Sequence, residues 1–268
     1  MTQKQKWWGQ FDIPVNASRM WQIESLFFAV HRLEKEWQIS AKREEFTHDM
    51  DNIVQLSNEQ IDLSKFGSAT RHVFKKSGSM IELKPQLADR KVVSRPITPI
   101  SLASGEEVTL YISTPLWVQF EIVGKREMVL EELVINRPSD TWFGKSTREG
   151  ELCYATQTAG RLDLEKLPVR PSRAITPLIV INRGEDRLLL ERIALPVPLL
   201  SLFVNKEGVF WTQSATLIRD DSGGMAELKL GKDAPKEASD AVRVNKARKQ
   251  PEKGMLVRAF SSLFEKGQ

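Results

Sequence analysis

Apolar side chains recur at every second residue through the stretch from Met20 to Ile39, with Trp21 and Ile23 and then Leu26, Phe28 and Val30 in step. A period of two sets successive side chains on opposite faces of a strand. Glu34-Lys35-Glu36 interrupts the run before Trp37 and Ile39, so the pattern predicts a hairpin, with a helix through HRLEKEW as the alternative. Between Arg43 and Lys65 the chain turns polar and reads as a surface loop with room for a short helix. From Arg71 onward short β-branched or aromatic runs alternate with Gly, Pro and acidic turns. Strands are predicted at Arg71 to Lys75, Met80 to Leu83, Val108 to Ser113, Leu116 to Val123 and Glu127 to Ile135, with Gly124-Lys125 as a tight hairpin turn. The second half adds Glu151 to Thr156, Thr176 to Asn182, Arg187 to Ala194, Leu199 to Val204, Val209 to Leu217 and Met225 to Leu230. Asn205 to Gly208 and Asp220 to Gly224 supply turns.

Many short strands without helical segments between them predict an all-β fold of antiparallel β-sandwich architecture, in two β domains. The Pro-containing LEKLPVRPS segment, Leu164 to Ser172, is the expected linker, giving an N-terminal β domain over 1–163 and a C-terminal sheet over 173–231. Residues 232–253 are charged and Ala-rich, with few large apolar groups to offset the entropy of ordering, and are expected to be a flexible linker. Beyond them Met255, Leu256, Ala259, Phe260, Leu263 and Phe264 fall on one helical stripe, which predicts an amphipathic helix over 254–266. Leu256, Phe260, Leu263 and Phe264 are then candidates for docking on a protein partner or on the body itself.

Composition narrows the function classes. The net charge of +4 over 268 residues is small, so charge gives no strong nucleic-acid signal. Cys153 is the only cysteine, which excludes an intramolecular disulfide and a multi-thiolate zinc site and predicts a reducing, cytoplasmic location. The N-terminus lacks an apolar run of signal length, and no stretch of about 18 apolar residues predicts a membrane span. The sequon Asn16-Ala17-Ser18 is read as chance on the same ground.

The chemical motifs are sparse. Gly144-Lys145-Ser146 resembles the end of a phosphate loop, but Ser139 stands where that loop needs its first glycine, and a turn glycine is the better reading. His31, His48 and His72 lie far apart in sequence and none sits at metal-ligand spacing. His48 with Asp49 and Asp51 is the one local cluster with ligand chemistry and reads as a solvated loop. Cys153 has no neighbouring histidine and is expected to be a buried strand residue rather than a nucleophile. Glu131-Glu132 and Asp220-Asp221 read as solvated turns, since spacing alone does not split two carboxyl pKa values. No catalytic, cofactor-binding or metal residue is assigned, and no cofactor is expected. Among seven tryptophans, Trp7 and Trp8 near the terminus and Trp142 in SDTWFG are candidates for recognition. Trp142 is also expected to anchor a loop between SDTWFG and GELCYA by packing on the body.

The runs STPLW (Ser113 to Trp117), SDTWFG (Ser139 to Gly144), GELCYA (Gly150 to Ala155), TPLIVINRGEDRLLLERIALPV (Thr176 to Val197) and RAFSSLF (Arg258 to Phe264) resemble the uncharacterised family called domain of unknown function 432. The resemblance spans most of the chain and implies no activity, cofactor or catalytic residue. It implies an accessory role beside a small-conductance mechanosensitive channel. The expected function is accordingly a non-enzymatic binding or accessory protein, peripheral to a membrane only through its partner. The alternative is a hydrolase or carbohydrate-acting enzyme whose site is assembled from dispersed residues.

Overall fold

The computed structural model describes residues 6–45, 47, 50, 52–57, 65–76, 78–124, 128–146, 148–156, 159–220, 225–252 and 254–261. Strands dominate them, and the helical pieces include the single 3₁₀ turns Leu164–Lys166, Val197–Leu199 and Lys236–Ala238. The chain forms two compact units: one of Met1–Gln86, Leu116–Asn136 and Arg170–Ser172, the other of Leu87–Pro115, Arg137–Val169 and Arg173–Gln268. The units interleave along the chain, where sequence patterning predicts consecutive domains over 1–163 and 173–231. Local turn signals mark where a strand ends but not which strand it will pair with, so a discontinuous unit leaves no local trace.

In the first unit, Ser18–Ile23, Leu26–Arg32 and Glu36–Arg43 form an antiparallel meander flanked by Val54–Ser57 and Thr70–Val73. The predicted hairpin is therefore present, and HRLEKEW is strand and turn rather than helix. Residues with period two face a core in which Trp21 stacks on Phe28 at 5.2 Å and Phe120 meets Phe28 edge-on at 5.2 Å. Offset and edge-on aromatic pairs of this kind add about 0.5–1.5 kcal/mol each to the burial of their area.

The strand Glu107–Ile122 runs on through Pro115, where two separate strands are predicted. Pro115 stands opposite Arg173 in the last pair of one ladder, and from Trp117 the strand pairs instead with Met128–Val134. A residue without an N–H is tolerated where the strand changes partner.

In the second unit, Arg173–Asn182 pairs antiparallel with Glu107 to Pro115 and parallel with Phe210–Thr212 and Ala215–Arg219. A second sheet orders Ser139–Gly144, Gly150–Ala155, Val92–Ser94, Arg192–Leu195 and Phe260–Ser261, again with one parallel pair. The sheets are thus mixed, correcting the purely antiparallel expectation. Residues 183–214 form a connection long enough to bring Ala215–Arg219 back parallel to Arg173–Asn182.

Two further expectations are corrected. The segment 232–253, expected to be a flexible linker, carries the turn Lys236–Ala238 and the strand Val242–Asn245, which pairs with Leu202–Val204. Ala238 is buried, and the Arg248 Nε donates to the Leu87 carbonyl at 2.7 Å. An open strand edge offers backbone partners that composition does not register. The predicted helix over 254–266 is replaced, as far as Ser261, by the strands Leu256–Arg258 and Phe260–Ser261, paired with Met225–Leu230 and Arg192–Leu195. A helix of about a dozen residues is marginal alone. Two ladders satisfy its backbone instead, and burial follows a period of two, with Leu256 exposed and Val257 and Ala259 buried.

Candidate binding groove

The second unit holds a groove of about 540 Å³ built from four stretches of chain that no sequence motif links. Its floor is Ile175 and Trp211, which face each other in the parallel pairing of Arg173–Asn182 with Phe210–Thr212. Beneath them Leu167, Phe203 and Ala238 complete a small buried cluster.

One wall is Leu164, Leu167 and Val169, the segment expected to be a linker. It is shaped by the turn Leu164–Lys166, whose cap Asp163 accepts from the Glu165 N–H at 3.1 Å, and Leu167 is buried. The second wall is the turn Asn205 to Val209. The Asn205 Oδ1 accepts from the N–H groups of Glu207 and Val209 at 3.1 and 2.8 Å, and Gly208 takes the left-handed φ of 80° that closes the turn. The third side is Glu237 and Asp240, and the Asp240 Oδ2 ties the walls together by accepting from the Lys206 N–H at 3.1 Å.

Four of the lining groups are acidic, Glu165, Glu207, Glu237 and Asp240, against the single base Lys206. Glu237 is the innermost acid in hydrogen-bonding terms. Its Oε1 accepts from the Tyr111 hydroxyl at 3.0 Å, while its Oε2 is buried without a partner. Burial first, and then that carboxylate, push the Tyr111 hydroxyl above its ordinary pKa, so Tyr111 remains a donor. The Trp211 indole Nε1 is likewise buried and unpartnered. The groove thus has an apolar floor, an acidic rim and two buried polar atoms without partners, an acceptor on Glu237 and a donor on Trp211.

None of the described residues singled out from sequence as candidate sites lines this groove. Trp7 is buried, with its indole N–H donating to the Pro171 carbonyl at 3.1 Å. Trp8 is half-buried under the Lys6 ammonium, 3.3 Å from the ring centre. SDTWFG and GELCYA are paired strands rather than the ends of a loop. Trp142 is 42% exposed instead of packed into the body, and its neighbour Phe143 is the buried anchor. Alternation sends adjacent aromatics to opposite faces. Trp142 lies against Gly150, where a Cβ would meet its ring at 2.6 Å, and its indole N–H donates to the Ser146 carbonyl at 2.8 Å.

Leu256 is exposed and Phe260 buried; Leu263 and Phe264, like His48, Asp49 and Asp51, lie outside the described residues. Cys153 is buried beside Val93, Phe143 and Ala194. Desolvation first, and then Glu151, push its thiol up to about 11, so it is not a thiolate at neutral pH. The residues that do line the groove were missed because Trp211 reads as one strand residue among many and Glu237 falls in a segment expected to be mobile.

A family model described as protein of unknown function, DUF432, matches residues 7–265. No curated protein and no solved structure matches the chain.

Proposed function

We propose, for a chain that belongs to the DUF432 family of proteins of unknown function, that it is a non-catalytic binding protein whose groove receives an extended protein segment carrying apolar and basic side chains. The observation that carries this reading is the Glu237 carboxylate, which has one oxygen without a partner beside an apolar floor and three further acids. A basic side chain would supply the missing donor, and an apolar neighbour would cover Val209, Leu164 and the edge of Trp211. A segment of a membrane channel is the candidate partner that the family resemblance names. With this reading go a sandwich-type packing of sheets within each unit and a cytoplasmic location, at the membrane only through a partner.

The rival, a carbohydrate-acting or hydrolytic site, is less well supported at this groove. Trp211 is only 5% exposed, so its ring face is withheld from stacking on a sugar. The described lining residues include no serine, cysteine or histidine to serve as nucleophile or base in a peptidase- or esterase-type hydrolysis.

Calorimetric titration of the full-length protein with two synthetic peptides, one alternating leucine with lysine and one alternating leucine with glutamate, tests the proposal. Binding is expected for the lysine peptide alone. It should weaken with salt and fall about tenfold or more in a Glu207→Lys, Asp240→Lys variant, since each charge-assisted contact contributes about 1.5–3 kcal/mol. Equal binding of both peptides, or of the lysine peptide to both proteins, would refute it.

A further inference from the structure

Two arginines of the second unit oppose each other at the end of a strand pair. Val92–Ser94 and Arg192–Leu195 run antiparallel with Leu195 opposite Val92, Ala194 opposite Val93 and Ile193 opposite Ser94. The next step of that register sets Arg192 against Arg95. Alternation gives both side chains the face of Val93 and Ala194, which form a small apolar core with Phe143 and Cys153. The Arg192 guanidinium lies 5.4 Å from the Phe143 ring centre, in keeping with that placement.

Like charges directly opposite on one sheet face are unfavourable. Burial first, and then Arg95, hold the Arg192 guanidinium below its ordinary pKa. The neighbouring cations are relieved by carboxylates: Arg90 pairs with Asp140 at 3.2 Å and Lys91 with Glu151 at 2.5 Å. Among the described residues Arg192 is fixed by neutral acceptors alone, its Nη2 donating to the Trp142 carbonyl at 2.8 Å and to the Thr141 Oγ1 at 3.3 Å. Its Nε is buried without a partner, while Arg95 is exposed.

We propose that Arg95 and Arg192 form a binding site for a tetrahedral oxyanion, the phosphate group of a small molecule or of a lipid headgroup. A guanidinium presents its N–H donors in a planar fork that matches two oxygens of a phosphate, and two such forks accommodate its remaining charge. The anion removes the repulsion across the strand pair and gives acceptors to the guanidinium N–H groups that the Trp142 carbonyl and the Thr141 hydroxyl leave unused. Arg192, pinned by Trp142 and Thr141, is the preset half of the site. Arg95, free in solvent, closes on the ligand.

The test uses the full chain, with inorganic phosphate titrated at constant ionic strength and thermal unfolding as the readout. The wild type is expected to melt at higher temperature with phosphate. Arg95→Gln is expected to melt above the wild type without phosphate, because the repulsion is gone, and to lose about tenfold or more of the phosphate affinity. Arg90→Gln should keep the phosphate response. A lipid headgroup as the source gives instead co-flotation with phosphatidylcholine vesicles containing phosphatidic acid, lost in Arg95→Gln and absent with phosphatidylcholine alone. The proposal is overturned if neither arm responds, or if Arg95→Gln responds to phosphate or vesicles as the wild type does.

Discussion

Glu24 in the first unit and Glu237 in the second put buried carboxylate oxygens in contrasting surroundings. Glu24 is fully buried at the tip of the hairpin joining Ser18–Ile23 to Leu26–Arg32, a place usually left to solvent, and adopts a φ of 50° there. The Ser172 hydroxyl donates to its Oε1 at 2.7 Å, the Asn136 amide donates to its Oε2, and the Ser25 hydroxyl holds that Asn136 by donating to its Oδ1 at 3.1 Å. Glu237 accepts from Tyr111 on one oxygen and leaves the other empty. Buried polarity by itself therefore does not mark a functional site. A carboxylate whose two oxygens are filled from two other stretches of chain holds a fold together, whereas Glu237 keeps one oxygen unfilled beside an apolar floor.

The contrast is broken or sharpened first by truncating each acid. Glu24→Ala removes one member of a closed network and leaves Ser172 and Asn136 without their acceptor, and is expected to lose about 3–5 kcal/mol in urea unfolding. Glu237→Gln is expected to stay within about 1 kcal/mol of the wild type, since only the Tyr111 bond is weakened. Comparable losses in the two variants would dissolve the distinction.

A smaller effect, again in the first unit, appears in acid. Arg71 holds the Glu36 carboxyl down to about 2, with Gln38 helping, through bonds of 2.6 and 2.8 Å from its Nε and Nη2. A depressed carboxyl contributes stability that is complete above its unfolded value of about 4.3 and is lost as pH falls from there toward 2. Melting temperature followed from pH 5 to 2 should therefore fall less steeply in Arg71→Gln than in the wild type. Identical slopes would show that the pair is too well solvated to matter.

In the second unit the thiol gives an alkaline counterpart. A raised Cys153 pKa means stability fully present below the unfolded value of about 8.5 and lost as pH rises toward about 11. Labelling of the native protein by a thiol reagent at pH 7 is expected to run no faster than unfolding exposes the residue, and prompt labelling would place Cys153 in contact with solvent.

The smallest change expected is in Trp142→Ala, within about 1 kcal/mol, because the ring is half exposed and loses one hydrogen bond. Phe143→Ala, one residue away on the buried face, is its control at about 3–5 kcal/mol. A large loss in Trp142→Ala would return that side chain to the core.

The residues by themselves determined that this is an all-β chain. Period-two runs, β-branched content and turn residues are local properties, and they marked the hairpin around Glu34-Lys35-Glu36 and the strand Met225–Leu230 without help from the rest of the molecule. The same local evidence placed Cys153 within a strand. Only the tertiary structure decided which strands pair, because a ladder joins residues far apart in sequence and satisfies backbone groups that every residue carries alike. That is why the helical spacing around Leu256 and Phe260 yielded to two strands. It is also why Trp211, Glu237 and Leu164 line one groove, although each reads in its own segment as an ordinary strand, loop or linker residue.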